Sequence, residues 1–158
     1  MPETLDGNLF GPEQACFGCA PHHPFGFRLK FERDGEEVVT RMTPDDRYQS
    51  VPGIMHGGLV ATLADEVAAW ACIAVTGKFG VTASLEARYL QSIRIGKEIE
   101  GRSHIVKVAS RFVDVEAKLT QEGRPCFTSV VRFLLFDKAG MEKMLGRELP
   151  EDWNRFVR

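Results

Sequence analysis

Apolar and polar residues alternate over much of this chain. Over residues 25–32 every second position is apolar, which is the period of a strand with one exposed face. Asp34-Gly35 is a hairpin turn signal, and residues 37–42 are predicted as the returning strand. After Gly77 the same alternation predicts four further strands, at 81–90, 97–109, 112–119 and 125–136.

One segment has the period of a helix instead. Residues 56–75 carry only two formal charges, Asp65 and Glu66, so a helix there must be largely buried. At ~100° per residue, one broad face carries large side chains and the opposite face carries small ones. The large face holds Leu59, Leu63, Val67, Trp70 and Ala74. The small face holds Gly58, Ala61, Thr62, Ala68, Ala69 and Cys72. Asp65 projects from the middle of the small face, and Glu66 lies near the boundary.

The element order predicts an α+β fold. Two strands, one long helix and four consecutive strands favour an antiparallel sheet wrapped around the helix, not βαβ units. We expect an irregular lead-in at 1–24, a domain at 25–138, and a short helix around 141–147 within a terminal segment at 139–158.

Composition narrows the classes of function. The chain has 158 residues, enough for one domain, with 44% hydrophobic and 27% charged residues. A net charge of −2 argues against nucleic acid as a partner. No apolar run near ~20 residues and no basic, apolar leader is evident at the N-terminus. We therefore expect a cytoplasmic protein without a membrane partner.

The chain has four cysteines, and Cys16 and Cys19 form a C-x-x-C pair. His22 and His23 follow closely, which invites a zinc interpretation. All four candidates crowd into eight residues, however, and no second C-x-x-C pair exists. A redox pair lacks the surrounding βαβ pattern. The favoured interpretation is a turn that packs its small thiols against the domain.

His56-Gly57-Gly58 begins the helix, and the first-turn N–H groups there suit an oxyanion hole. Asp65 is a carboxylate on a small face, which is expensive to bury without a partner or a role. Gly57 and Asp65 lie eight residues apart, or ~12 Å along a helix. They can share one reacting carbon only if two copies of the helix pack antiparallel. This spacing predicts a homodimer with two equivalent sites.

The segment 56–65, His-Gly-Gly-Leu-Val-Ala-Thr-Leu-Ala-Asp, resembles the helix motif of hotdog-fold acyl-CoA thioesterases of the phenylacetate-degradation type. The lead-in Cys-Phe-Gly-Cys-Ala-Pro, with Pro24 and Gly26 behind it, resembles a bacterial branch of that superfamily. The likeness covers about residues 16–136. It implies a hotdog fold and a dimer, as the minimal active unit or within a homotetramer. By this resemblance Gly57 supplies an oxyanion N–H, and Asp65 acts as nucleophile or general base.

The resemblance implies further site residues. His56 and Gly58 flank the catalytic Gly57, and Thr82 matches a hydroxyl near the carboxylate. The candidates for substrate binding are Ser50, Tyr89, Lys107 and Arg111, of which Arg111 is a second basic candidate on spacing alone. Ser50 stands where relatives often carry a polar amide, and Lys107 matches a basic residue near the nucleotide end of CoA.

The implied reaction is hydrolysis of an acyl-CoA, which needs no metal and no cofactor. Two alternatives remain. One is a hotdog protein that binds acyl-CoA or acyl-carrier protein without turnover. The other is a hotdog hydratase or dehydratase, for which His56 and His104 are the available histidines outside the N-terminal pair.

Overall fold

The computed structural model describes residues 3–158. Within them the chain forms seven strands and two α-helices, together with short 3-10 turns. The strands are β1 (Glu3–Asp6), β2 (Lys30–Asp34), β3 (Glu37–Met42), β4 (Gly80–Tyr89), β5 (Ile99–Val108), β6 (Phe112–Gln121) and β7 (Arg124–Leu135). The helices are α1 (Gly57–Thr76) and α2 (Lys138–Leu145).

All seven strands belong to one antiparallel sheet in the order β1-β2-β3-β5-β6-β7-β4. The consecutive strands β5, β6 and β7 form a meander through its middle. The turn between β6 and β7 has positive φ at both Glu122 and Gly123, the backbone that matches the twist of a hairpin. The long strand β4 lies at the far edge of the sheet beside β7, and among the described residues no strand pairs with its other edge.

Helix α1 lies across one face of this sheet and contacts strands β2 to β7. Its large side chains supply the centre of the core, where Leu63 and Val67 are fully buried and Trp70 is stacked on Phe31 with ring centroids 5.0 Å apart. The Ser103 hydroxyl on β5 donates to the Val67 carbonyl at 2.7 Å. Gly77 ends the helix in a left-handed conformation, as a C-terminal glycine commonly does. The sheet therefore wraps the helix, as the sequence predicts.

The predicted strand at 25–32 is wrong in its first half, since β2 begins only at Lys30. The backbone turns at Arg28, where φ is 52°. Phe27 and Leu29 instead donate their N–H groups to Phe17 and Gly18 of the lead-in, at 3.0 and 2.9 Å. Phe27 and Leu29 alternate with polar residues because their own side chains pack inward. The same alternation is typical of a strand, so periodicity alone could not distinguish this loop from one.

Two other expectations also differ from the structure. Residues 3–6, expected to be irregular, form β1 and pair with β2. Helix α1 is 20 residues long and apolar enough to pass as a membrane span, although the sequence indicated no run of that length. Half of its most apolar stretch is buried inside the protomer, which is the position of a core helix.

The terminal segment at 139–158 contains more structure than the short helix predicted in it. Residues 151–156 form a 3-10 turn that packs on the N-terminal segment. The indole N–H of Trp153 donates to the Phe10 carbonyl at 2.8 Å, and the Phe10 and Phe156 rings lie 4.6 Å apart. The Phe79 N–H donates to the Phe156 carbonyl at 2.7 Å. The two ends of the described chain are thus closed on each other over one side of the core.

Candidate functional site

The first turn of α1 is held from several sides. The His56 Nδ1 accepts the Gly58 N–H at 3.0 Å, and the His56 N–H donates to the Tyr48 carbonyl at 2.8 Å. The Tyr89 hydroxyl donates to the Gly57 carbonyl at 2.6 Å. Among the hydrogen bonds of residues 3–158, none uses the Gly57 N–H. One first-turn donor is therefore left for a ligand, at the positive end of a 20-residue helix.

A cavity of about 380 Å³ opens at this turn. Its wall includes Gly57 and Val60 of α1, Ser50 of the preceding loop, and Tyr89 at the end of β4. The loop reaches the helix because Gln49 and Met55 form an isolated bridge and the Ser50 N–H donates to the Ile54 carbonyl at 2.9 Å. The structure thus brings together five residues predicted from sequence: Ser50, His56, Gly57, Gly58 and Tyr89.

Asp65 lies two turns further along α1 and is half-buried. The Thr82 hydroxyl on β4 donates to its Oδ1 at 2.9 Å. Burial raises the pKa of the Asp65 carboxyl above its ordinary value, and the hydrogen bond from Thr82 opposes that rise. This pair was also predicted from sequence. It does not line the cavity at Gly57.

Lys107 and Arg111 lie elsewhere, on the hairpin between β5 and β6. Lys107 Nζ lies 5.4 Å from the centroid of the Phe112 ring, and both cations are exposed. Within residues 3–158, no hydrogen bond or ion pair joins either cation to Gly57 or to Asp65. Within one protomer the predicted site residues therefore lie in three separate groups: around Gly57, around Asp65, and at the hairpin between β5 and β6.

Glu66 is the residue whose surroundings sequence reasoning missed. It does not lie at the rim of the helix but beneath the lead-in, where the Cys16 thiol donates to its Oε1 at 3.0 Å. Burial holds the pKa of the Glu66 carboxyl well above its usual range. The contact joins residues 50 positions apart, so no local pattern could have indicated it.

The zinc set considered from sequence is not assembled. His23 Nδ1 accepts the N–H groups of Phe25 and Gly26, at 3.2 and 2.8 Å, and His22 is exposed. Cys19 is buried in the main hydrophobic core and Cys16 is half-buried beside it. The lead-in thus packs against the domain, and the carboxylate close to its two thiols is Glu66.

Comparison with known proteins shows that this chain is similar to thioesterases. The family model described as thioesterase superfamily matches residues 52–127. A curated relative, acyl-coenzyme A thioesterase 13 of Mus musculus, is 28% identical over 88 residues, which cover 55% of this chain and 63% of the relative. The match therefore spans less than two thirds of that relative's own length.

Solved structures give the same result for the fold. Thioesterase superfamily member 2 from Mus musculus superposes with a TM-score of 0.60 at 25% identity, over 65% of this chain and 84% of that one. A hypothetical thioesterase from Streptococcus pneumoniae, solved with coenzyme A, gives a TM-score of 0.63 at 19% identity, over 67% and 86% of the two chains. The predicted α+β hotdog fold is confirmed.

Proposed function

We propose that this protein is a homodimeric acyl-CoA thioesterase, in which each active site combines Gly57 of one protomer with Asp65 of its partner. The observation that carries the proposal is the pairing of two features on one helix. The Gly57 N–H is unused beside a cavity, and a half-buried carboxylate lies ~12 Å further along. The acyl-CoA thioesterase named among the relatives supports the choice of substrate class.

The Gly57 N–H is suited to polarise a thioester carbonyl. An oxyanion site needs a donor that is fixed before the reaction and held where water is partly excluded. His56 and Tyr89 fix the peptide groups around Gly57 by their hydrogen bonds to Gly58 and to the Gly57 carbonyl. As negative charge develops on the carbonyl oxygen, the amide and the helix dipole stabilise it.

Asp65 supplies the second half of the reaction. Its carboxylate either attacks the carbonyl carbon or takes a proton from a water that attacks. In both routes the carbon–sulfur bond breaks and CoA leaves as a thiol after gaining a proton. If Asp65 attacks, the acyl group is first held on it as an anhydride, which water then hydrolyses. In either route the acyl group leaves as a free acid. Thr82 positions the carboxylate by its hydrogen bond to Oδ1.

The open edge of β4 supports the dimer. This strand has ten residues, most of its side chains are exposed, and within residues 3–158 only β7 pairs with it. A long unprotected edge is a template for pairing with another chain. Pairing of β4 with its copy about a two-fold axis would place Asp65 and Thr82 of each protomer near the other protomer's helix. In such a dimer Lys107 and Arg111 are our candidates for binding the CoA phosphates.

The test is a panel of acyl-CoAs assayed by release of free thiol. We expect hydrolysis by the wild type, and a loss of at least ~10²-fold in kcat for Asp65→Asn, which retains size but removes the base or nucleophile. Asp46→Asn changes an exposed carboxylate outside the site and should leave kcat unchanged.

Two results would contradict the proposal. Full activity of Asp65→Asn would remove Asp65 from the chemistry. Tight binding of acyl-CoAs by the wild type, with no thiol released from any of them, would favour the alternative of a binding protein without turnover.

A further inference from the structure

Cys16, Cys19 and Glu66 form a cluster on the side of α1 next to Asp65. Their sulfur and carboxyl oxygen atoms all lie within 4.8 Å of one another. The two cysteines belong to a tight turn, closed by the Ala20 N–H donating to the Cys16 carbonyl at 3.0 Å. Glu66 reaches this turn from the helix, with its Oε1 3.0 Å from the Cys16 sulfur. The mechanism proposed for thioester hydrolysis uses none of the three.

The two thiols differ in exposure and in acidity. Cys16 is half-buried and can be reached from solvent, whereas Cys19 is only 4% exposed. The hydrogen bond with the Cys19 thiol is the main cause that lowers the pKa of Cys16, to about 5. Burial opposes this fall, and the contact with Glu66 and the N–H groups of Cys19 and Gly18 add to it. The pKa of Cys19 is raised, first by its hydrogen bond to Cys16 and then by burial. Cys16 is thus built as the attacking thiolate and Cys19 as the second thiol.

Glu66 is placed to exchange a proton with Cys16. Its carboxyl is the acceptor of the Cys16 thiol proton, and its burial favours the protonated form. Transfer of the proton along this contact leaves a Cys16 thiolate that accepts the Gly18 N–H at 3.3 Å. Asp65 is the nearest further carboxylate on the helix, and it adds charge beside the cluster.

The same atoms fit a zinc ion less well. Zinc binds sulfur at ~2.3 Å and carboxylate oxygen at ~2.0–2.2 Å in a tetrahedron, which separates the two ligand atoms by roughly 3.5 Å. The Cys16 sulfur and the Glu66 oxygen lie 3.0 Å apart, as hydrogen-bonded groups do. The nearby His23 ring nitrogen Nδ1 is already occupied by two backbone amides.

We propose that Cys16 and Cys19 are a redox-active dithiol, which hydroperoxides oxidise to an intramolecular disulfide with Cys16 reacting first. The Cys16 thiolate attacks one peroxide oxygen, so that a sulfur–oxygen bond forms and the oxygen–oxygen bond breaks. The leaving oxygen takes the proton from Glu66. The Cys19 sulfur then loses its proton and attacks the Cys16 sulfur, and hydroxide leaves with that proton as water. Two thiols lose two electrons, and the peroxide gains them.

The chain offers a direct assay on the unmodified protein. Trypsin cuts first after Arg28, so one peptide, 1–28, contains both cysteines, while Cys72 and Cys126 fall in other peptides. Folded wild type is treated with hydrogen peroxide, and is then unfolded, alkylated and digested without reductant. We expect peptide 1–28 to lose two hydrogens and to resist alkylation. Cys126 is only 3% exposed and should not be oxidised, so its peptide should be recovered with an alkylated thiol.

Two variants identify the order of attack. In Cys19→Ser the Cys16 sulfenic acid has no second thiol with which to form a disulfide. A cyclic diketone probe, which reacts with sulfenic acids, should therefore label Cys16. In Cys16→Ser the buried Cys19 should remain a free thiol under the same treatment. Cys126→Ser is the matched control and should behave as wild type.

Three results would overturn the proposal. The first is peptide 1–28 that stays fully alkylated after peroxide treatment of the folded wild type. The second is labelling of Cys19 by the diketone probe in Cys16→Ser, together with no labelling of Cys16 in Cys19→Ser. The third is purified protein that holds one equivalent of zinc and releases it only when the thiols are blocked. Thioesterase activity is not the readout, so these results are independent of the proposed function.

Discussion

Asp65 shows how a single hydrogen bond can set the working range of a carboxylate. Burial favours its protonated form, and the Thr82 hydroxyl favours the ionised form by donating to Oδ1 at 2.9 Å. A nucleophile or general base must be ionised to act. The activity should therefore rise with pH as Asp65 loses its proton, and Thr82 should extend that activity toward lower pH.

Thr82→Val tests this role. Valine fills the same space but cannot donate, so the pKa of Asp65 should rise further and the acid limb of kcat/KM should move to higher pH. On that limb we expect a loss of about 2- to 10-fold, the usual size of one net hydrogen bond. At high pH the variant should recover. Ser84→Ala, an exposed change on the same strand, is the control, and an unshifted limb in Thr82→Val would contradict the role.

At the scale of single residues, sequence was informative where chemistry is local. The spacing of His56, Gly57 and Asp65 placed a donor and a carboxylate on one helix, and the structure has them there. The partner of Glu66 could not be found in the same way. The Cys16–Glu66 contact depends on how the lead-in crosses the helix, and that path is set by packing over 50 residues of sequence separation.

The helix α1 divides its small residues between two environments. Ala68 and Cys72 are fully buried within the protomer, whereas Ala61, Thr62 and Ala69 are only partly covered. The sequence pattern grouped all of them on one small face, because a helical wheel cannot show how far a curved sheet wraps around the helix. The candidate contact with a second helix is thus narrower than predicted and lies around Ala61, Asp65 and Ala69.

Ala68→Leu should accordingly damage the fold. The added methylenes have no space in a closed core, and overpacking of this kind costs about 1–3 kcal/mol. Urea denaturation should show a lower free energy of unfolding by that amount. Ala139→Leu makes the same change at an exposed position of α2 and should alter the free energy by less than about 0.5 kcal/mol. An unchanged stability of Ala68→Leu would contradict the burial of this position.

Strand prediction succeeded where alternation and pairing coincide. β4, β5, β6 and β7 begin and end within about two residues of the predicted bounds. Residues 25–29 have the same alternation but contact the lead-in, and the positive φ at Arg28 breaks the ladder. Alternation indicates which side chains are buried. It does not indicate which part of the chain pairs with the backbone N–H and carbonyl groups of the segment.

On the scale of the whole molecule, the proposed reaction needs Gly57 and Asp65 at one site, and their separation of ~12 Å along the helix is the reason we propose two chains. This can be tested by mixing two inactive variants, Asp65→Asn and Gly57→Pro. Proline removes the N–H donor and is tolerated at the first position of a helix. A mixed dimer contains one intact site, and random exchange at equal amounts makes half of the dimers mixed. About a quarter of the wild-type activity should return.

The controls for this mixture are each variant alone and evidence of exchange. Circular dichroism must show that Gly57→Pro is folded, and a tagged subunit must show that chains have mixed. If a folded, exchanged mixture recovers no activity, the two-chain site is wrong, and the open edge of β4 has another purpose.

The contact between the N-terminal segment and residues 151–156 also bears on how this protein is made in a cell. The ring of Phe10 packs against Trp153 and Phe156, and the ring of Phe79 packs against Trp153. Residues 151–156 follow every strand and both helices along the chain, so they leave the ribosome after all of these elements. Until they pack, one side of the core is uncovered, and the nascent chain exposes apolar rings that favour aggregation.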